Sequence, residues 1–302
     1  MKGTVDQEKL AAALASKMRV GAVALEPVAV ACAWPVFKAI PSVGAPFFVK
    51  LADPANAAQT LAFLQATGDV PLFPKPVLAG TPDFDGRVIL ALEWKAVACV
   101  NAEAMSDAQA ASFVAGCRAL SAALGRYTGA VRPIGEDDPD IQYAALARYA
   151  ARHPLAARLI RPLLAIPELA RTYRGRSIVT IHGDFQPKNY GFAGEEFAAV
   201  FDFDALTTGL ACEDAAYAFT ERVRRAELSA SVRARLTELF LRHVAASGWP
   251  VAEWLVAVNH ARLRISTRRL AKHPDSFFVA IDIARRDKPL AALAAALENH
   301  HA

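Results

Sequence analysis

T-I-H-G-D-F-Q-P-K-N-Y-G-F-A-G-E-E-F-A-A-V-F-D-F-D, residues 180–204, is the stretch from which the rest of the chain can be read. The apolar run 177–181 predicts a strand that delivers Asp184. Asn189 follows five residues later, and a second apolar run, 197–201, leads to Asp202. The intervening Ala193-Gly194-Glu195-Glu196 is turn chemistry, so 190–192 and 197–201 are expected to fold back on each other as an antiparallel hairpin. Such a hairpin brings Asn189 and Asp202 to the same end.

Transfer of a phosphoryl group asks little covalent chemistry of a protein: an aligned hydroxyl, and cations to neutralise the phosphate oxygens. Asp184 can accept the proton of an attacking hydroxyl. Asn189 and Asp202 offer a neutral and an anionic oxygen, the hard ligands that Mg²⁺ takes while it keeps waters and substrate phosphates. The pattern H-G-D-x-x-x-x-N from His182 to Asn189 is expected by chance on the order of 0.001 times in a chain of this length at average composition. With the following D-F-D at Asp202 to Asp204 it resembles the aminoglycoside phosphotransferase and choline kinase family, small-molecule kinases that share the protein-kinase fold. The resemblance implies an α+β, two-lobed kinase-like fold with a small β-rich N-terminal lobe and a large helical C-terminal lobe. It implies ATP and Mg²⁺ as cofactors, Asp184 as base, and Asn189 and Asp202 as metal ligands. His182 reads as a residue that holds the loop backbone. Asp214, in Glu213-Asp214-Ala215-Ala216, resembles the family's structural aspartate, which receives the amides of the H-G-D loop.

Length and composition agree with a globular enzyme. At 302 residues, with 54% hydrophobic and 21% charged residues, the chain can bury a sizeable core. It contains no run of 18 apolar residues and no cleavable leader pattern at its start, so a cytoplasmic, membrane-free protein is expected. Cys32, Cys99, Cys117 and Cys212 are scattered without a C-x-x-C pair, which predicts reduced thiols and no zinc site.

Thr4 and Gln7 make a capping-box pattern ahead of Leu10, Leu14 and Met18, an opening amphipathic helix. Three β-rich runs follow, 28–33, 36–40 and 47–51, the last two joined by the hairpin-type connector 41–46. Lys50 sits in Phe48-Val49-Lys50-Leu51, which resembles the family strand whose lysine pairs with the ATP phosphates. A helix is expected from Asp53-Pro54 to Gly68. Here the chain departs from the family pattern: the helix has no glutamate to pair with Lys50, leaving Gln59 as a neutral substitute, and no G-x-G-x-x-G occurs in 29–33. Both departures predict weaker nucleotide binding. Residues 87–94 read as a buried strand entering the linker between lobes, where the resemblance places the adenine edge on the backbone of Glu93, Trp94 and Lys95. The lobes are then 1–94 and 95–302, the second carrying the catalytic loop 182–189 and the metal strand 197–204.

Beyond the linker, Ser106 and Gln109 form a second capping box, and Phe113, Cys117, Leu120 and Leu124 share one helical face. Residues 132–140 read as a loop, 141–173 as helical, and the chain from Asp214 onward as helical with a break at Gly248 and Pro250. Within the loop, Gln186 stands where protein kinases carry a lysine, Lys188 reads as solvent-facing or phosphate-directed, and Asp204 as a second metal or substrate residue or as the cap of the turn that follows.

Only nine residues separate Asp204 from Asp214, too few for an activation segment that seats a peptide, so a small hydroxyl compound is the expected acceptor. From Ala215 to the end there are 14 Arg and Lys and 8 acids, a net charge of 14 − 8 = +6. This disfavours polycationic aminoglycosides and favours a neutral or anionic metabolite. Arg233, Arg262 and Arg269 read as surface residues snorkelling over helices. A whole-chain charge of +4 without an aromatic-interleaved basic stripe argues against nucleic acid. The second reading, a nucleotide-binding pseudokinase acting as an interaction module, rests on the missing glutamate and glycine loop.

Overall fold

The computed structural model describes residues 5–28, 35–78, 80, 82–100, 104–135, 138–164, 166, 173, 175–225 and 228–301. Thr4, Cys32 and all but Val28 of the run 28–33 expected as a strand lie outside the described residues. The chain packs as two compact units. One comprises Met1–Cys99, Tyr127–Ala130 and Lys188–Asp204; the other comprises Val100–Arg126, Val131–Pro187 and Ala205–Ala302.

The first unit is built on a five-stranded antiparallel sheet in the order β1-β2-β3-β5-β4: β1(Val23–Pro27), β2(Val36–Pro41), β3(Phe47–Ala52), β4(Asp83–Phe84) and β5(Arg87–Glu93). Lys50 lies on the central strand β3, opposite Val36 on one side and Leu90 on the other. Helix α1(Gln7–Met18) buries Leu10 and Leu14 against Phe37, Phe47, Val49 and Ile89 of the sheet. Its N-cap is Asp6, whose carboxylate accepts from Lys9 N–H at 3.0 Å. Helix α2(Pro54–Ala66) begins as its sequence dictates, with Asp53 as N-cap and Pro54 in the first turn.

The hairpin β7(Tyr190–Ala193)/β8(Glu196–Val200) packs in this first unit, not with the later helices as a division after residue 94 would have it. Backbone hydrogen bonds at two places explain the placement. Ala98 and Phe192 exchange N–H···O bonds of 2.9 and 3.0 Å, and Val200 N–H donates to Leu72 O at 2.9 Å. Phe203, just beyond the hairpin, then inserts its ring against Phe63 and Phe73 at centroid distances of 4.8 and 5.1 Å. Aromatic contacts of this kind bury large apolar area and fix orientation together.

The second unit is helical around a two-stranded ribbon of β6(Val179–Ile181) with β9(Thr207–Gly209). Helix α3(Asp107–Gly125) carries the complete Ser106/Gln109 capping box and buries Phe113, Cys117, Leu120 and Leu124. Helices α4(Pro139–Arg152), α5(Pro154–Leu164), α6(Glu213–Val223), α7(Ala230–Ser247), α8(Val251–Lys272) and α9(Phe277–His301) follow. Gly248, at φ 77°, closes α7 and Pro250 opens α8. Among the described residues no helix is long and apolar enough to cross a membrane. Cys99, Cys117 and Cys212 are free thiols.

Several arginines expected on the surface are structural. Arg262 is buried and grips Asp287 with two bonds of 2.9 Å, and Arg233 donates to the carbonyls of Val223, Arg225 and Leu228 that end α6 and its following turn. Arg269 pairs with Asp282. Helical spacing alone cannot separate these from solvated residues, because their partners lie on other elements or in turns.

His243 sits at 0% exposure among Phe219, Trp254 and Phe240, with neither ring nitrogen hydrogen-bonded among the described residues. Burial, together with the charge of Arg118, pushes its imidazole down to about 4. Since the unfolded chain titrates near 6.5, the unfolded state takes up a proton between pH 6.5 and 4 that the folded state refuses. Stability should be full above pH 6.5 and fall by about 3 kcal/mol as pH drops to 4. Urea unfolding of the native chain and of His243→Leu at both pH values tests this. The variant should show a shallower decline, and an identical decline would refute the assignment to His243.

Candidate active site

The first unit contains a pocket of about 180 Å³ whose apolar wall includes Val28, Leu90 and Leu92 and whose polar end holds Lys50, Asp202 and Asp204. Glu93, Trp94 and Lys95 line it as well, along with Lys188 and Asn189. Lys50, only 6% exposed, directs Nζ to Asp202 Oδ1 at 2.6 Å and also to Asp204 Oδ2. Burial opposes its charge, yet the two carboxylates and their hydrogen bonds more than offset this, so the ammonium is held above its ordinary range. Gln59, the expected neutral partner on α2, is not bonded to it. What α2 supplies is Thr60, whose hydroxyl lies 3.4 Å from Asp204 Oδ1.

The hairpin makes this arrangement. Phe201 N–H donates to Asn189 O at 2.8 Å, which sets the start of β7 beside the end of β8. Strand β8 stops at Val200, two residues before Asp202, and Asp202 takes the left-handed conformation at φ 63°. A non-glycine residue in that region is uncommon and held only where its surroundings dictate it. Here Phe203 anchors the next position in the aromatic cluster, so the flanking carboxylates 202 and 204 both face Lys50. Asn189 is buried at 3% exposure, whereas Lys188 is exposed.

The second unit holds Asp184. Strand β6 leads through His182 and Gly183, whose N–H groups donate to Asp214 Oδ2 and Oδ1 at 2.6 and 3.1 Å. Burial raises the Asp214 carboxyl above its ordinary value, against the lowering by the neighbouring His182 and by these two amide bonds. Gly183 is obligatory: its φ is 77°, and a Cβ would stand 2.1 Å from Ala205 O. Arg264 donates to Gly183 O from α8. His182 is fully buried, and its Nδ1 accepts from Asp184 N–H at 3.3 Å.

Gln186 Nε2 donates to Asp184 Oδ2 at 2.6 Å, and Arg268 Nη1 reaches Asp184 Oδ1 at 3.3 Å. Arg268 also donates to the Tyr217 hydroxyl at 3.0 Å. Sequence reasoning counted Arg264 and Arg268 within a diffuse positive charge and missed both contacts. Their four-residue spacing on one face of α8 was the available signal. Behind the loop, Glu213 accepts from the Tyr173 hydroxyl at 2.8 Å and pairs with His260 Nδ1 at 3.0 Å. Although burial pushes the Glu213 carboxyl up, His260, Arg264 and Tyr173 together hold it below its ordinary value.

An antiparallel sheet bearing a buried lysine, a separate helical unit and an H-G-D-x-x-x-x-N loop held by a buried aspartate define the small-molecule kinases of protein-kinase-like fold. The profile of the phosphotransferase enzyme family (APH) matches residues 35–255, well over half the chain, and the chain belongs to that family. Among solved structures it is similar to the amicoumacin kinase hAmiN in complex with AMP-PNP, Ca²⁺ and Ami, at 14% identity, TM-score 0.62 and 95% coverage of each chain. It is similar also to the macrolide 2′-phosphotransferase MphH of Brachybacterium faecium (17%, TM-score 0.58, covering 94% of this chain and 98% of that one). Choline kinase of Cryptosporidium parvum Iowa II shares 11% identity at TM-score 0.57, over 92% of this chain and 89% of that one. No curated protein matches the chain in sequence.

Proposed function

We propose that the protein transfers the γ-phosphoryl group of ATP to a hydroxyl of a small neutral or anionic metabolite, with Asp184 as the base. The observation that carries the reading is the double clasp of Lys50 by Asp202 and Asp204 beside an apolar pocket. It orients a buried cation where nucleotide phosphates need one, without a helix glutamate. In this reading the apolar wall takes the adenine. The backbone of Glu93, Trp94 and Lys95 meets the base edge in this reading, with Glu93 N–H already bonded to Lys75 O and Lys95 O to Val97 N–H.

The residues present suit Mg²⁺: Asn189 and Asp202 are hard oxygen donors, and the carboxylates of 202 and 204 already converge on one cation, the Lys50 ammonium. Bound there, Mg²⁺ would neutralise charge on the β- and γ-phosphate oxygens. Among the described residues no group of three or more His, Cys, Asp or Glu gathers as a metal site, so substrate phosphates and water complete the shell in this reading. Asp184 accepts the acceptor's hydroxyl proton, while Gln186 and Arg268 hold its carboxylate in one orientation.

Thermal unfolding with saturating ATP, with and without Mg²⁺, tests the reading. At a ligand concentration 100 times Kd the folded state gains about 2.7 kcal/mol, so Mg·ATP should raise Tm by several degrees and ATP alone by less. A melting temperature indifferent to both would sink the assignment.

A further inference from the structure

Beside Asp184, and wholly within the second unit, lies a cavity of about 260 Å³. Gln186 and Arg268, the two residues that hold the Asp184 carboxylate, are part of its wall, with Tyr217 and Ile265 as its apolar part. Four cationic side chains converge on it: Arg224 from the end of α6, and Arg268, Arg269 and Lys272 from α8. Glu221 is the acid of the lining, and it is already bonded by Arg224 at 2.8 Å. Arg269 is taken up by Asp282, which Arg286 also contacts at 2.9 Å. Lys272 has no ion-pair partner among the described residues. Even with Asp184, Glu221 and Asp282 all counted against Arg224, Arg268, Arg269, Lys272 and Arg286, the balance is 5 − 3 = +2. The crowding is physical: burial and then the charge of Arg286, with Arg224 adding to them, hold the Arg269 guanidinium below its ordinary value despite Asp282. A surplus of converging cations in a concave, partly apolar hollow is matched by a ligand that brings negative charge.

Resting on the reading of Asp184 as base, we infer that the acceptor is a hydroxyl compound carrying a carboxylate or phosphate group, seated in this cavity with its anionic group toward Lys272 and Arg269 and its hydroxyl toward Asp184. The hollow disfavours amines, which would add to charge already in excess.

The test is binding by saturation-transfer NMR of a panel of hydroxy acids and sugar phosphates, each paired with its neutral and aminated analogue, on the native chain and on Lys272→Glu. Lys272 is exposed, so the reversal leaves the packed core alone. The expected result is binding of anionic members at least tenfold tighter than their analogues, with Lys272→Glu weakening the anionic members about tenfold and removing the preference. Neutral or aminated members binding as well as anionic ones, a preference that survives Lys272→Glu, or no binding by any anionic member would each overturn the inference. Mg·ATP stabilisation measured on the same preparation separates the two readings. A chain stabilised by Mg·ATP yet indifferent to ligand charge loses only the acceptor assignment.

Discussion

Asp184→Asn should lower kcat for phosphoryl transfer by about 10²- to 10⁴-fold, the range a positioned general base contributes, while stabilisation by Mg·ATP stays at the native level. The substitution is chosen for its shape. An asparagine Oδ1 can still accept from Arg268, and Gln186 can turn its amide to present Oε1 to the new Nδ2, so both contacts can be kept while the proton acceptor is lost. The measurement is ADP formation with a panel acceptor that the native chain phosphorylates, followed beside a melting curve with Mg·ATP. Native turnover in the variant would remove Asp184 from the chemistry. Binding without turnover in the native chain itself would be the signature of a pseudokinase, a reading that membership of a phosphotransferase family does not favour.

The second large effect is expected at Asp202. In Asp202→Asn the increment in Tm that Mg²⁺ adds to ATP should vanish, because a neutral amide replaces the anionic oxygen offered to the metal. Lys50 keeps Asp204 as partner, so its ammonium remains charged, and binding of ATP without metal should change by less than the metal-dependent part. At saturating ligand the lost increment is on the order of 2 kcal/mol, a few degrees in a protein of this size. A variant that retains the full Mg²⁺-dependent increment would show that Asp202 holds no metal.

The parts of the fold that sequence reveals are those decided by local chemistry. Asp53-Pro54 and Ser106 with Gln109 start helices because each cap satisfies N–H groups two or three residues away. The hairpin of residues 190–200 was legible for the same reason, since Gly194 supplies the positive φ that its turn requires. What sequence could not reveal depends on distant partners. Lys50 and Asp202 are 152 positions apart, and no local pattern tells a lysine on a strand which carboxylate it will find. Arg268 and Asp184 are separated by 84 positions. Strand β9 is short, Thr-Thr-Gly, and exists because β6 offers it a ladder. At the start of α1, Asp6 provides the cap from a position equally open to a solvated acid.

The way Lys50 is held has a bearing on control. In protein kinases the lysine is ordered by a glutamate on a mobile helix, and moving that helix uncouples the site. Here both anchoring carboxylates flank Phe203, whose ring packs against Phe63 of α2 and against Phe73, and α2 also reaches Asp204 through the Thr60 hydroxyl. Neither anchoring carboxylate is carried by α2 itself, so displacing that helix would act on the ion pairs only through the Phe203 ring and the Thr60 hydroxyl. Occupancy is instead a contest between cations: a metal ion arriving at Asp202 must share or take over a carboxylate that the ammonium already holds, with Asp204 retaining the lysine. Such a kinase would be throttled by supply of its metal and nucleotide.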